Sequence, residues 1–342
     1  MIDPIALARS LVAIPSPTGE EGAVVAHLAG VLAELGYHVV RQPVSEGRDN
    51  IYAYREPPEL VFSTHLDVVP PHLPLREDDE SLWGRGACDA KGIAAAMVAA
   101  AERLAAEGER RIGLLFVVGE EAGSDGARAA AALEPKGRFL VNGEPTENLL
   151  VTAAKGSLHV ELRATGRAAH SAYPREGASA ILRLLDSLER IRRMPMPFDP
   201  ALGETTLNIG MLRGGVAANV IPPEAGATLL FRTVGRTELL LEHLTRLLDS
   251  NVTAEVVAEI PALSAPAPAG WESTTVAFAS DLPFHAAWGY GVMMGPGSIR
   301  VAHTEDEHIT KQDLRKGIDQ YVRLAQTLLA SSRPSQPSQP SH

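Results

Sequence analysis

Cysteine is nearly absent. Cys88 is the only one in 342 residues, so the chain cannot close a disulfide within itself and does not read as a secreted disulfide scaffold. Long apolar runs are missing too: the longest, Ile93 to Ala101, falls far short of the roughly 20 residues of a membrane-spanning helix. The first residues, Met1-Ile2-Asp3-Pro4, offer an acid and a proline where a secretory signal carries a basic region and an apolar stretch, so no signal peptide is expected. Positive charge is in deficit as well. With 31 Lys and Arg against 42 Asp and Glu, the net charge is -11, which disfavours nucleic acid and anionic membrane as partners. The tightest basic cluster, Arg190-Ile191-Arg192-Arg193, reads as a solvated helix end. A soluble cytoplasmic enzyme is the expectation that fits these exclusions best.

What is present is an ordinary globular composition, 45% hydrophobic and 21% charged. Only the Ser/Pro/Gln tail, 331–342, lacks apolar residues to bury and is expected to be disordered. The first half alternates helical and strand patterns, the mark of a layered α/β domain. Helices are predicted over Ala23 to Leu35 and the Ala-rich Lys91 to Ala106, and strands over 51–54, 60–63, 112–118 and 139–141. From about Gly156 the order becomes strand (158–164), helix (178–193), strand (206–212), strand (227–232), helix (237–247), strand (252–259), which is the ferredoxin-like plan. Thr310, with Asp313 three positions on, is a plausible helix N-cap, and Ile309 and Leu314 a hydrophobic staple. The fold class expected is therefore α/β: a mixed-sheet domain with helices on both faces, made of 1–155 and 263–330, interrupted by a ferredoxin-like α+β insert over 156–262.

Five acid or histidine segments carry the chemistry, most of them where strands end, the place where ligands gather in open α/β sheets. In Ser63-Thr64-His65-Leu66-Asp67, two positions separate His65 from Asp67, so in an extended segment both point the same way, and Asp67 is a candidate to hold the ring of a metal-binding His65; a surface salt link is the plain alternative. Asp89 sits in the turn Gly84 to Gly92, where it could equally cap the following helix. A phosphate cradle is the rival for that turn, although its spacing fits neither nucleotide fingerprint. Glu120 and Glu121 end an apolar strand. They are either a solvated loop edge, or one coordinates a metal while the other takes a proton from water. Glu144 follows a strand, and His303 stands before an acidic run where it could form a simple ion pair.

Together and in this order, the segments resemble the co-catalytic zinc metallopeptidases and deacylases, the family of acetylornithine deacetylase, succinyl-diaminopimelate desuccinylase, aminoacylase and carboxypeptidase G. The resemblance runs from Ile14-Pro15-Ser16 to the last helix. It implies two zinc ions, with cobalt as a substitute. Asp89 would bridge them, His65 and Glu144 would complete one site, and Glu121 and His303 the other. It further implies Glu120 as general base and Asp67 as the partner of His65. The insert resembles a lid and dimerisation domain, so a homodimer is expected. There His170 would help hold the oxyanion, while Asn219 and Arg232 would contact the substrate carboxylate. Gly295, Gly297 and Ser298 would form the remaining substrate loop. A structural ion pair is the rival reading for Arg232, which ends an apolar strand.

Cys88 before Asp89, the run Gly295 to Ile299, and Ala302-His303 with Asp306-Glu307 after it resemble most the acetylornithine deacetylase branch. The expected substrate is thus an N-acyl amino acid. The alternatives are desuccinylation or acyl-lysine cleavage, a peptidase of short peptides, and a metal-binding protein without catalysis. Ala90 departs from the methionine that many relatives carry there, which puts the shape of the pocket floor in doubt.

Overall fold

A computed structural model describes residues 2–265 and 267–331; most of the tail, 332–342, lies outside the described residues. The main elements in chain order are α1 (Pro4–Val12), α2 (Gly22–Glu34), β1 (His38–Ser45), β2 (Arg48–Tyr54), β3 (Leu60–His65), α3 (Lys91–Ala106), β4 (Ile112–Val117), β5 (Phe139–Asn142) and β6 (Leu150–Ala154). They continue with β7 (Gly156–Thr165), α4 (Ala180–Arg192), β8 (Thr206–Gly214), β9 (Glu224–Thr233), α5 (Thr237–Arg246), β10 (Val252–Ile260), β11 (Tyr290–Met293) and α6 (Lys311–Ser331). The chain divides into two compact units, one of residues 1–151, 265–274 and 284 onward, the other of 152–264 and 275–283.

The first unit is built on a mixed sheet in the order β1-β2-β4-β3-β5-β11, with the start of β6 beside β11. Strands β4, β3, β5 and β11 run parallel, and β1 and β2 are antiparallel additions at one edge. Residues of β3 are buried from Leu60 to His65, because both faces are covered. Leu60 and Phe62 join one core with α1, α2, α3 and α6, and the Phe62 ring packs on Tyr321. On the other face the Tyr52 ring meets Trp288, which is fully buried. Helix α3 is buried almost all round, and its six alanines between Ala94 and Ala101 let α1 and α6 approach closely. The Thr310 hydroxyl accepts from the Asp313 N–H at 2.9 Å, and Ile309 and Leu314 are both buried, so α6 starts as its capping pattern predicts.

The second unit carries a four-stranded antiparallel sheet, β8-β9-β7-β10, with α4 and α5 packed on one face around Leu158, Val160, Leu162 and Phe231. Its element order and strand order are ferredoxin-like. Among the described residues no helix is long and apolar enough to cross a membrane.

One buried group in the first unit ties stability to pH. His285 is 2% exposed, its Nδ1 has no hydrogen-bond partner among the described residues, and burial pushes its pKa down from 6.5 to about 4. The unfolded chain therefore takes up a proton near pH 6.5 that the folded chain refuses until about pH 4. The stabilising share of the neutral ring is whole above pH 6.5 and is lost as the pH falls through this window, about 3 kcal/mol in total. Urea unfolding at pH 7 and pH 4 should show the wild type losing that much more than His285→Gln. Parallel losses in the two proteins would refute the assignment.

Candidate metal centre

The parallel register of β3, β4 and β5 brings three loops out together at the carboxyl ends of these strands. His65 is the last residue of β3, Glu120 and Glu121 follow β4, and Glu144 follows β5. Asp89 arrives from the turn before α3, and His303 from the loop before α6. All belong to the first unit. Asp89 is not a helix cap. Ala90 holds that position and no side chain caps α3, which leaves both carboxylate oxygens to the site.

Asp89 lies between the two histidines. Its Oδ1 is 3.0 Å from His65 Nε2, its Oδ2 is 3.5 Å from His303 Nε2, and Glu121 Oε1 is 3.0 Å from the same His303 nitrogen. The ligand atoms of His65, Asp89 and Glu121 all lie within 4.8 Å of one another. Glu144 is buried at the end of its strand, 4% exposed. His303 is the most open member, with a side chain 48% exposed and φ of 64°.

The tautomer of His65 tests whether a cation fits. Its Nδ1 lies 2.9 Å from the main-chain carbonyl of Asp67, an acceptor only, so Nδ1 carries the proton. In a neutral ring Nε2 then turns a lone pair toward the Asp89 carboxylate at 3.0 Å, acceptor against acceptor. Only positive charge between or on these groups resolves the clash. The electrostatics agree. Burial works against charge on His65, yet the hydrogen bonds to Asp67 and Asp89 and the charges of Asp89 and Glu120 lift it well above its ordinary value. His303 is raised to about 10 by its hydrogen bonds to Asp89 and Glu121, with burial opposing. Burial also resists the Asp89 charge, but the bonds to His303 and His65 hold its carboxyl well below the usual range, while Glu121 is raised by burial and by Asp89. A cluster that pulls protons onto both imidazoles is one that stabilises added cations. Tetrahedral bonds near 2.1 Å set ligand atoms roughly 3.4 Å apart, comparable with the 3.0 and 3.5 Å found here.

Asp67 organises the loop of the two glutamates. Its Oδ1 accepts from the Glu120 N–H at 3.1 Å, and its Oδ2 from the Glu121 N–H at 3.1 Å and the Thr18 hydroxyl at 2.8 Å. The carboxylate stands 3.5 Å from His65 Nδ1, farther than the carbonyl, so ring and loop are held by different parts of one residue. The turn into Glu120 needs Gly119, whose φ is 78° and whose missing Cβ would lie 1.9 Å from Asp125 Oδ1. We expect Asp67→Asn to weaken zinc affinity about 10- to 100-fold, as changes behind a metal ligand do, read by competition with a chelator. An unchanged affinity would remove Asp67 from this role.

The sequence did not single out Thr18 or the buried amine of Lys91, which donates to the Ile14 carbonyl at 2.6 Å. With Ser16, whose hydroxyl donates to the Leu66 carbonyl at 2.7 Å, they clamp segment 14–18 beside Asp67. Neither the glycine-rich turn before Lys91 nor the apolar run after it gives a sign of that contact, since it forms across 77 positions.

The other candidates are placed as follows. Gly295 gives its N–H to the Thr146 hydroxyl at 3.0 Å, and the Ser298 hydroxyl donates to Glu147 at 2.9 Å. Gly297, with φ of 86°, lies where a Cβ would come within 2.6 Å of the Cys88 sulfur, so the loop packs tightly on the turn that carries Asp89. His170, Asn219 and Arg232 belong to the second unit. There the strips holding His170 and Asn219 run side by side, Ser171 donating its N–H to the Asn219 carbonyl at 3.0 Å, and both side chains are exposed. Arg232 sits in β9 opposite Ser157 and Thr206.

Comparison with known proteins agrees with this geometry. Residues 61–327 match the model of peptidase family M20/M25/M40. A probable carboxypeptidase of Neosartorya fischeri is 36% identical over 382 residues, covering 95% of this chain and 86% of its own length. The crystal structure of a Staphylococcus aureus tripeptidase superimposes with a TM-score of 0.79 at 23% identity, covering 96% of this chain and 98% of that one. A Bacillus subtilis protein described as a dinuclear metal binding peptidase superimposes with a TM-score of 0.71 at 14% identity, covering 96% and 98%. The chain is thus a hydrolase of amide bonds and belongs to peptidase family M20/M25/M40.

Proposed function

We propose that the chain is a two-zinc hydrolase of short peptides, acting in the manner of a carboxypeptidase. The observation that carries the metal reading is the Asp89 carboxylate facing a histidine nitrogen from each oxygen, at 3.0 and 3.5 Å. Mixed imidazole and carboxylate donors without a thiolate suit zinc, with cobalt as a substitute. Asp89 would be shared by both ions, His65 and Glu144 would serve one, and Glu121 and His303 the other. Zinc would polarise the scissile carbonyl and make a water more acidic. The chain's own residues would do the rest. Glu120, on the loop that Asp67 fixes, takes the proton from the water that attacks the carbonyl carbon, and hands it to the nitrogen as the C–N bond breaks. Asp67 keeps that loop and the His65 ring in register.

The relatives' names move the substrate from an N-acetyl group to a peptide bond, because the similar protein above is called a carboxypeptidase rather than a deacetylase. The acyl amino acid reading, acetylornithine included, rests on the short runs around Cys88, Gly295 and His303 and stands second. In either case the substrate ends in a carboxylate, for which we assign Asn219 and Arg232, with His170 for the oxyanion and Gly295, Gly297 and Ser298 for the rest of the pocket. We assign 1–155 and 263–330 to catalysis and 156–262 to a lid that also pairs two copies, in a cytoplasmic homodimer.

The zinc-loaded protein should be offered dipeptides and tripeptides, their C-terminally amidated forms, and acetyl- and succinyl-amino acids. Release of the C-terminal residue from free peptides, with the amides refused, is expected. Faster cleavage of the acyl amino acids would select the second reading, and no cleavage of any member would overturn both.

A further inference from the structure

We propose that Glu307 and Arg85 form a buried positioning couple that sets the Asp89 carboxylate and the His303 loop in their ligating geometry. The proposal rests on the metal-centre reading above and adds to it two residues outside the ligand set. Glu307 is 1% exposed and Arg85 is 2% exposed. One oxygen of Glu307 gathers three main-chain donors from the turn before α3, the N–H groups of Gly86 at 2.8 Å, Cys88 at 3.3 Å and Asp89 at 3.2 Å. The last is the amide of the bridging residue itself. The other oxygen takes the Arg85 guanidinium at 2.6 Å. The same guanidinium nitrogen donates at 3.1 Å to the carbonyl of Thr304, the residue after His303. His303 holds a φ of 64°, a conformation that residues other than glycine seldom adopt, and the Arg85 bond lands on the residue directly after it.

Two carboxylates and two loops are thereby coupled. Converging amides make a cradle for an anion, and here the anion is a protein side chain rather than a ligand. Glu307 shapes the turn that presents Asp89, and through Arg85 it fixes the segment that presents His303. A buried ion pair is a poor device for stability alone, since apolar residues of equal volume do as well. What distinguishes this one is where its hydrogen bonds end, on the amide of one proposed ligand and on the carbonyl of the residue that follows another. The acidic run Glu305-Asp306-Glu307 hides the feature in sequence, because only the third acid is buried.

Zinc affinity by chelator competition and the visible spectrum of the cobalt-loaded protein test the couple in Glu307→Ala, Glu307→Gln and Glu102→Ala. Glu102 pairs with Arg55 at 2.7 Å near the opposite end of α3 and serves as the control for losing a half-buried ion pair. Glu307→Ala should weaken zinc binding about 10- to 100-fold and shift the cobalt bands. Glu307→Gln keeps an acceptor oxygen for the three amides and should recover most of both. Glu102→Ala should lower the melting temperature and leave zinc affinity and cobalt bands at wild-type values. Wild-type affinity and bands in Glu307→Ala would overturn the proposal, as would a glutamine variant no better than alanine or an equal zinc loss in Glu102→Ala. Should Glu307→Ala not fold, Arg85→Lys replaces it. That variant keeps the charge, but its side chain is one bond shorter and lacks the Nε–H that donates to the Pro71 carbonyl at 3.3 Å, so about tenfold weaker zinc binding is expected and wild-type binding overturns the couple. A wild type that binds no zinc would instead remove the metal-centre reading.

Discussion

Glu120→Gln is expected to lower kcat roughly a thousandfold, within the range for general base catalysis, with zinc content and KM close to wild type. The substitution keeps the shape of the side chain and removes only its ability to accept and return a proton. Glu120 is not among the closely grouped ligand atoms of His65, Asp89 and Glu121, and its own amide is tied to Asp67 at 3.1 Å, so neither the ligand set nor the loop should shift. Metal analysis of the purified variant and steady-state kinetics on a cleaved peptide read the two quantities separately. A kcat within tenfold of wild type would end the assignment of Glu120 as base. Loss of zinc along with activity would instead make it a ligand.

Most of this site could be read from residue order alone, because the strands that deliver it are short apolar runs whose ends are chemically marked. His65 closes Leu60–His65, and Glu120 and Glu121 come just after Ile112–Val117. Helix α3 was legible to the residue, since an alanine-rich stretch has high intrinsic helicity and begins straight after a glycine-rich turn. Strand β1 was not. It lies at the sheet edge, partly exposed along its length and carrying Pro43, so it lacks the apolar signal of its neighbours. Strand β11 is four residues long with a glycine inside, and it joins the sheet from far along the chain. The role of Asp67 was half legible. Its spacing from His65 is written in sequence, but which of its oxygens meets the ring depends on backbone rotation. The Glu307 and Lys91 contacts, across 218 and 77 positions, leave no local pattern at all.

Asp89→Ala is expected to abolish binding of both zinc ions and bring turnover below detection, whereas His303→Ala should lose one ion and retain the other. The difference follows from geometry. Asp89 presents one oxygen to His65 at 3.0 Å and the other to His303 at 3.5 Å, so its removal takes an anionic donor from each half of the centre at once. His303 meets only Asp89 and Glu121 among these groups, and its side chain is 48% exposed, so its loss leaves the buried half around His65 standing. Zinc titration by calorimetry gives the stoichiometry, and thermal melts give an independent reading. Ligand bound only by the folded state adds stability by mass action, about 4 kcal/mol at a thousand times Kd. Wild type should therefore gain melting temperature on zinc addition, His303→Ala should gain less, and Asp89→Ala should not respond. Removing Asp89 also relieves its repulsion of Glu121, which burial and the Asp89 charge both push toward the protonated form, so the Asp89→Ala fold should survive without metal. One zinc equivalent bound to Asp89→Ala at wild-type affinity would show that the carboxylate serves a single ion. The shared-ligand arrangement would then give way to two separately ligated sites, with Glu144 and Glu121 carrying more of the charge balance than the bridging scheme assigns to them.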